Sequence, residues 1–159
     1  MTGRWLVSGV LRDYDLVILS GLARGQSVPE IAAAAGVSAG TLRNRVLVLR
    51  QRMGALSCAH AVALAYEHGW LNGLTREPAE PVRLSGHQRR VLRMVAAGLT
   101  NQQISRRLGV STGMAVMQVR RIYRVMGTAR TGRSAGATRA HTVALAYQHG
   151  HLTLTDRST

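Results

Sequence analysis

The feature that most constrains this chain is an internal repeat. Residues 59–71 return at 140–152 with ten of thirteen positions identical, built on Ala-His-x-Val-Ala-Leu-Ala-Tyr. Upstream, Gly25, Ile31, Gly36, Val37, Ser38, Gly40, Val46, Met53 and Gly54 recur 73 residues later as Gly98, Ile104, Gly109, Val110, Ser111, Gly113, Val119, Met126 and Gly127. Self-similarity of this length means two copies of one small module rather than one larger domain. The expected organisation is a lead-in over 1–10, copy A over 11–71, a linker over 72–83, copy B over 84–152 and a frayed tail over 153–159. The linker holds two of the three prolines. The fold class expected is all-α, two tandem four-helix units.

Within each copy the helices can be placed from their punctuation. In copy A, Leu16, Leu19, Leu22 and Ala23 recur at helical spacing, and Gly25 closes the segment. Ser27 and Glu30 have the spacing of a capping box, which copy B writes with Thr100 and Gln103. That second helix is short and ends at Gly36 or Gly109. A valine follows, and then Ser38 or Ser111 caps a third helix. Val46, Leu49 and Met53 mark its buried face in A; Val119, Ile122 and Met126 do so in B. The fourth helix carries the repeated motif and is apolar over more than one stripe, more than burial on one side requires. Copy B alone carries an eight-residue insertion ahead of it, within 128–139, which reads as a mobile basic loop with nothing to bury.

Charge narrows the partner. All 21 basic residues are arginine, against 7 acids, a formal net of +14. GC-rich coding accounts for arginine over lysine, but not for the excess. Residues 1–74 hold seven arginines and four acids; residues 84–159 hold twelve arginines and one acid. Arginine forks match phosphate oxygens, so a polyanion is the expected partner and nucleic acid the default. With no phenylalanine, both cores must be aliphatic. No apolar run has transmembrane length, and the first residues lack the apolar stretch of a signal peptide. The single Cys58 cannot form an internal disulfide, so a reducing cytoplasm, in association with the nucleoid, is the expected compartment.

A short helix, a tight Gly-Val-Ser turn and a longer helix are the grammar of a helix-turn-helix. On these residues each copy resembles the LuxR/FixJ-type (GerE-like) DNA-binding domain. Copy B is similar over 84–92 and 97–111. Copy A keeps the recognition-helix pattern in Ser38, Gly40, Thr41, Leu42, Arg43, Asn44, Arg45 and Val46. The resemblance implies that the third helix enters the major groove and the fourth forms a dimer interface. It therefore implies Ser38, Thr41, Arg43, Asn44 and Arg45 at the DNA in copy A. It further implies Val62, Leu64, Ala65 and Tyr66 facing Val143, Leu145, Ala146 and Tyr147, within one chain as a pseudo-dimer or between two chains.

Arginine pairs bidentately with guanine and asparagine with adenine, which suits Arg43 and Asn44. Copy B departs: it places Met114, Ala115, Val116, Met117 and Gln118 where A has Thr41 to Arg45. Only Gln118 offers a base hydrogen bond, and the methyl-bearing residues can at most touch thymine methyls, although Arg106, Arg107, Arg120, Arg121 and Arg124 surround the same helices. One reading is a division of labour, in which A reads bases and B grips backbone. The other is that B's third helix packs against protein. The family's acidic residue in the first helix is approximated by Asp15 in A and replaced by Gln88 in B. Ten leading residues are too few for a receiver or ligand-binding domain, so control of that kind is not expected from this stretch.

Other chemistry finds little material. His60, His68, His141 and His149, with Cys58 and His151, lack the close spacing of zinc ligands. No cofactor is expected. No nucleophile elbow, phosphate loop or carboxylate pair points to catalysis, so an enzyme is not expected. Two function classes stand: a sequence-specific regulator on double-stranded DNA, or a module that binds another regulator or RNA polymerase with DNA affinity as a tether. No membrane partner is expected.

Overall fold

The computed structural model describes residues 11–129 and 132–153. The expected lead-in over 1–10 and all but Thr153 of the tail lie outside them. Eight helices and no strand occur among the described residues: α1 (Asp13–Ala23), α2 (Val28–Ala34), α3 (Ala39–Met53), α4 (Cys58–Glu67), α5 (Gly86–Ala96), α6 (Asn101–Leu108), α7 (Thr112–Val125) and α8 (Ala135–Gln148). None is long and apolar enough to cross a membrane.

The helix ends follow local chemistry. Ser27 Oγ accepts from Glu30 N at 3.4 Å, and Ser27 N donates back to Glu30 Oε2 at 2.6 Å. Thr100 and Gln103 repeat this reciprocal box, as do Ser85 and Gln88. The backbone donor from Ser27 holds the Glu30 carboxyl below its ordinary range. The box therefore contributes in full above the ordinary glutamate pKa and fades as pH falls through the lowered value. Glu30→Gln keeps an acceptor without the charge. Its stability deficit in urea melts is expected at pH 7 and should shrink at pH 3; an unchanged deficit would count against a role for the carboxylate.

Asp15 occupies the same position in α1 that Gln88 occupies in α5. It accepts from Arg12 N at 3.0 Å and pairs with Arg52 of α3 at 3.1 Å. In α1 the buried side chains include Ile18, Leu19, Leu22 and Ala23, while Leu16 is only half-buried. Buried side chains of all eight helices form one continuous aliphatic core.

The most extensive helix pairing in the molecule is between α4 and α8. The Tyr66 and Tyr147 rings, at matching places in the repeat, stack at 5.4 Å with 3° between planes. Tyr147 donates to Glu67 Oε1 at 3.1 Å, and Gln148 Nε2 donates to the Tyr66 hydroxyl at 2.8 Å. The flanking contacts are reciprocal: α1 packs on α8 and α5 packs on α4. A Cβ placed on Gly25 would stand 3.0 Å from His141 Cβ, and one on Gly98 would stand 3.1 Å from His60 Cβ. Equivalent residues thus meet equivalent residues, the pattern of a two-fold relation.

The expected mobile loop of 128–139 needs correction. Ser134 Oγ accepts from Ala137 N at 3.2 Å, and α8 already begins at Ala135. Arg139 donates to Leu99 O at 2.7 Å and to Asn101 Oδ1 at 3.1 Å, tying α8 to the start of α6. Nor is there nothing to bury. Thr128 is fully buried and shares a 2.6 Å hydrogen bond with Thr142, while Ala137 and Thr138 are also buried. A serine cap and small residues let the helix extend where composition alone reads as loop. Arg130 and Thr131 lie outside the described residues.

Residues 75–85 have no regular secondary structure, but they are held. Glu77 N donates to Gln148 Oε1 at 2.9 Å, and the Glu77 carboxylate accepts from the buried His141 Nε2 at 3.0 Å. His141 Nδ1 then accepts from Arg133 Nη1 at 3.0 Å. His149 donates to the Glu77 carbonyl at 2.9 Å and accepts from Arg76 at 3.1 Å.

Candidate nucleic-acid interface

A short helix, a tight turn and a longer helix follow one another twice along the chain. In the first, α2 ends at Ala34 and Gly36 adopts φ +67, a left-handed conformation that glycine takes without penalty. Nothing lies within 4 Å of where its Cβ would be, so the glycine serves the turn rather than close packing. Val37 N donates to Ala32 O at 3.0 Å and its side chain packs against the core. Ser38 Oγ accepts from Thr41 N at 3.1 Å, which starts α3. The second unit repeats each step: Gly109 at φ +66, Val110 N to Ser105 O at 3.1 Å, and Ser111 Oγ accepting from Met114 N at 3.2 Å before α7.

These turns aim the first turns of α3 and α7 outward. In α3, Leu42, Val46 and Leu49 are buried, which leaves Thr41, Arg43, Asn44 and Arg45 exposed. Arg43 and Asn44 make no side-chain hydrogen bond or ion pair among the described residues, so their donors are available. Ser38 and Thr41 are partly committed, with their hydroxyls 2.9 Å apart across the cap. Arg45 is turned aside: its guanidinium lies 4.1 Å from the centre of the Tyr14 ring in α1. Sequence reasoning grouped Arg45 with Arg43 because a tertiary stacking partner on another helix leaves no local signal.

In α7 the matching place is Gln118, whose Oε1 bonds His87 Nε2 of α5 at 2.8 Å. Gln118 is thus half-buried, with its Oε1 engaged by His87. His87 stands where Tyr14 stands in the first unit, so both copies brace their third helix against their first at this point. Ala115 is fully buried and Val116 half-buried. Met114 and Met117 remain as the outward edge.

Arg106, Arg107, Arg120, Arg121 and Arg124 are all exposed, and none has a side-chain hydrogen bond or ion pair among the described residues. Arg133 and Arg139 are committed to His141 and to the α5–α6 junction. No acid occurs from 84 to 153, so nothing on these helices opposes the positive field.

Val62, Ala65, Val143 and Ala146 are fully buried, Leu64 and Leu145 nearly so, and Tyr66 and Tyr147 half-buried. All eight lie on the paired helices α4 and α8. Burial raises the Cys58 thiol pKa, with Arg50 partly opposing it, so this thiol is a poor nucleophile at neutral pH. The histidines and Cys58 form no group of three or more metal-ligating side chains among the described residues.

Residues 82–131 match the family described as GerE: Bacterial regulatory proteins, luxR family. The matched stretch contains α5, α6 and α7 and ends before α8. No curated protein and no solved structure shows significant similarity to the chain.

Proposed function

We propose that this chain is a sequence-specific regulator of transcription that binds double-stranded DNA with two tandem helix-turn-helix modules. The observation that carries this reading is the pair of Ser-capped helices α3 and α7, each thrown outward by a left-handed glycine, with Arg43 and Asn44 unengaged on the first. The luxR-family match over the second supports it. The pairing of α4 with α8 supports a chain that acts as its own pseudo-dimer on the nucleoid. Because the two outward edges differ, its binding site is asymmetric: α3 reads bases, and the arginines around α7 hold backbone. The fourth helices are consumed within the chain, so RNA polymerase or another regulator, if engaged, meets a different surface.

Selection from random-sequence duplexes, followed by gel shift, tests this. A defined, asymmetric motif is expected; uniform weak binding would refute sequence-specific regulation. On the selected site, Arg43→Ala and Asn44→Ala should each cost roughly 1–3 kcal/mol and relax the preference at particular base pairs. Arg120→Ala and Arg124→Ala should weaken cognate and scrambled duplexes alike, each lowering the salt slope by about one. If specificity is lost in the second pair and kept in the first, reader and anchor are reversed.

A further inference from the structure

The outward edges of α3 and α7 differ at matching positions in one consistent way. Where α3 presents Thr41 and Asn44, α7 presents Met114 and Met117, exposed by 50% and 68%. One turn further on the relation reverses. There α3 presents Leu47 and Val48, while α7 presents Arg120 and Arg121. Two methionines three residues apart are one turn apart on one face, so they form a short apolar edge. That edge faces away from the core, since Ala115, Val119 and Ile122 fill the buried side.

We infer that Met114 and Met117 read thymine C5-methyl groups in the major groove. This rests on the DNA-binding reading above and gives the second module a specificity of its own. Charge complementarity selects the occupant. Arg120, Arg121 and Arg124 follow Met117 on α7 at three, four and seven residues, the spacing of one helix face, and Arg106 and Arg107 close α6; all are exposed, and no acid occurs from 84 to 153, which suits a surface lined by phosphates. The apolar edge then selects among bases. Thymine alone presents a methyl group there, whereas guanine, adenine and cytosine would turn polar atoms against thioether chains that cannot pair them. Methionine is unbranched and flexible, so it can follow a methyl across a groove. Gly113, at the start of α7, has only Ser111 Oγ near the place of a Cβ, at 3.9 Å. The helix tip is therefore open to a close approach.

The test uses the full chain and the duplex recovered by selection. The half-site whose preference Arg43→Ala leaves unchanged is assigned to α7. Replacing its thymines by deoxyuridine removes the methyl and nothing else. Binding is expected to weaken about fourfold for each methyl in contact. Met114→Gln with Met117→Asn, which removes both thioethers at exposed positions without adding a methyl group, should bind thymine and deoxyuridine duplexes equally. Three results overturn the inference: a deoxyuridine duplex bound as well as its parent, a thymine preference that survives in the double variant, or a half-site without thymine. In those cases the selected motif still stands, so DNA reading survives and the methionine edge belongs to a protein contact. If no motif is selected at all, the underlying reading has failed and this one with it.

Discussion

DNA affinity is expected to fall about a thousandfold between roughly 50 and 200 mM salt, with a log–log slope of about −4.5 to −6. The cause is a group of exposed, uncommitted arginines around α6 and α7: Arg106, Arg107, Arg120, Arg121 and Arg124. If about 5–7 phosphates are neutralised, each releases close to one condensed counterion, and the slope counts them. Arginines already used inside the fold should not count. Arg52 is paired with Asp15, and Arg139 is bonded to Leu99 and Asn101, so the slope must be shallower than the +14 net charge suggests. Titration by fluorescence anisotropy over that salt range measures it. A slope near zero would remove nucleic acid as the partner altogether.

The second large effect concerns stability. Gly98→Ala is expected to cost about 2–4 kcal/mol, and Gly127→Ala only about 1–2. Both glycines are left-handed, at φ +83 and +70, so an alanine is strained at either. They differ in surroundings. Nothing lies within 4 Å of a Cβ on Gly127, whereas one on Gly98 would meet Leu56 Cβ at 2.9 Å and His60 Cβ at 3.1 Å. Those atoms adjoin the backbone and cannot swing away, so α5 must lift from the α4 end. Gly25→Ala should behave like Gly98→Ala, because its Cβ meets His141 at the matching place. Urea denaturation of the three variants gives the comparison. Equal losses at Gly98 and Gly127 would show that α5 does not bear on the segment leading into α4 in solution.

The contributions of the methionine edge and of the arginines separate by their response to salt. An apolar edge between arginines gains little from phosphates directly, so its contribution should be nearly independent of salt. The deoxyuridine effect should therefore persist at high salt while overall affinity collapses.

What the sequence determined by itself was the set of helices and their ends. Ser27 with Glu30, Thr100 with Gln103, Ser38 and Ser111 act over three residues, and Gly36, Gly54, Gly109 and Gly127 each dictate a backbone conformation at one residue. Such signals sit in the local order of residues, which is why the helix-turn-helix was legible. The exposed Arg43 and Asn44 were legible too, since helical period separates them from Leu42 and Val46. The tertiary structure decided the rest. Arg45 against Tyr14, Gln118 against His87, Arg139 against Leu99 and Tyr66 against Tyr147 join residues far apart in sequence. None has a signature in the residues beside it. The same holds for residues 128–139, where small and basic residues fit a loop or a helix equally well. Ser134 and the burial of Ala137 and Thr138 bring α8 forward to Ala135, because a helix packed on a core gains what a loop in water cannot.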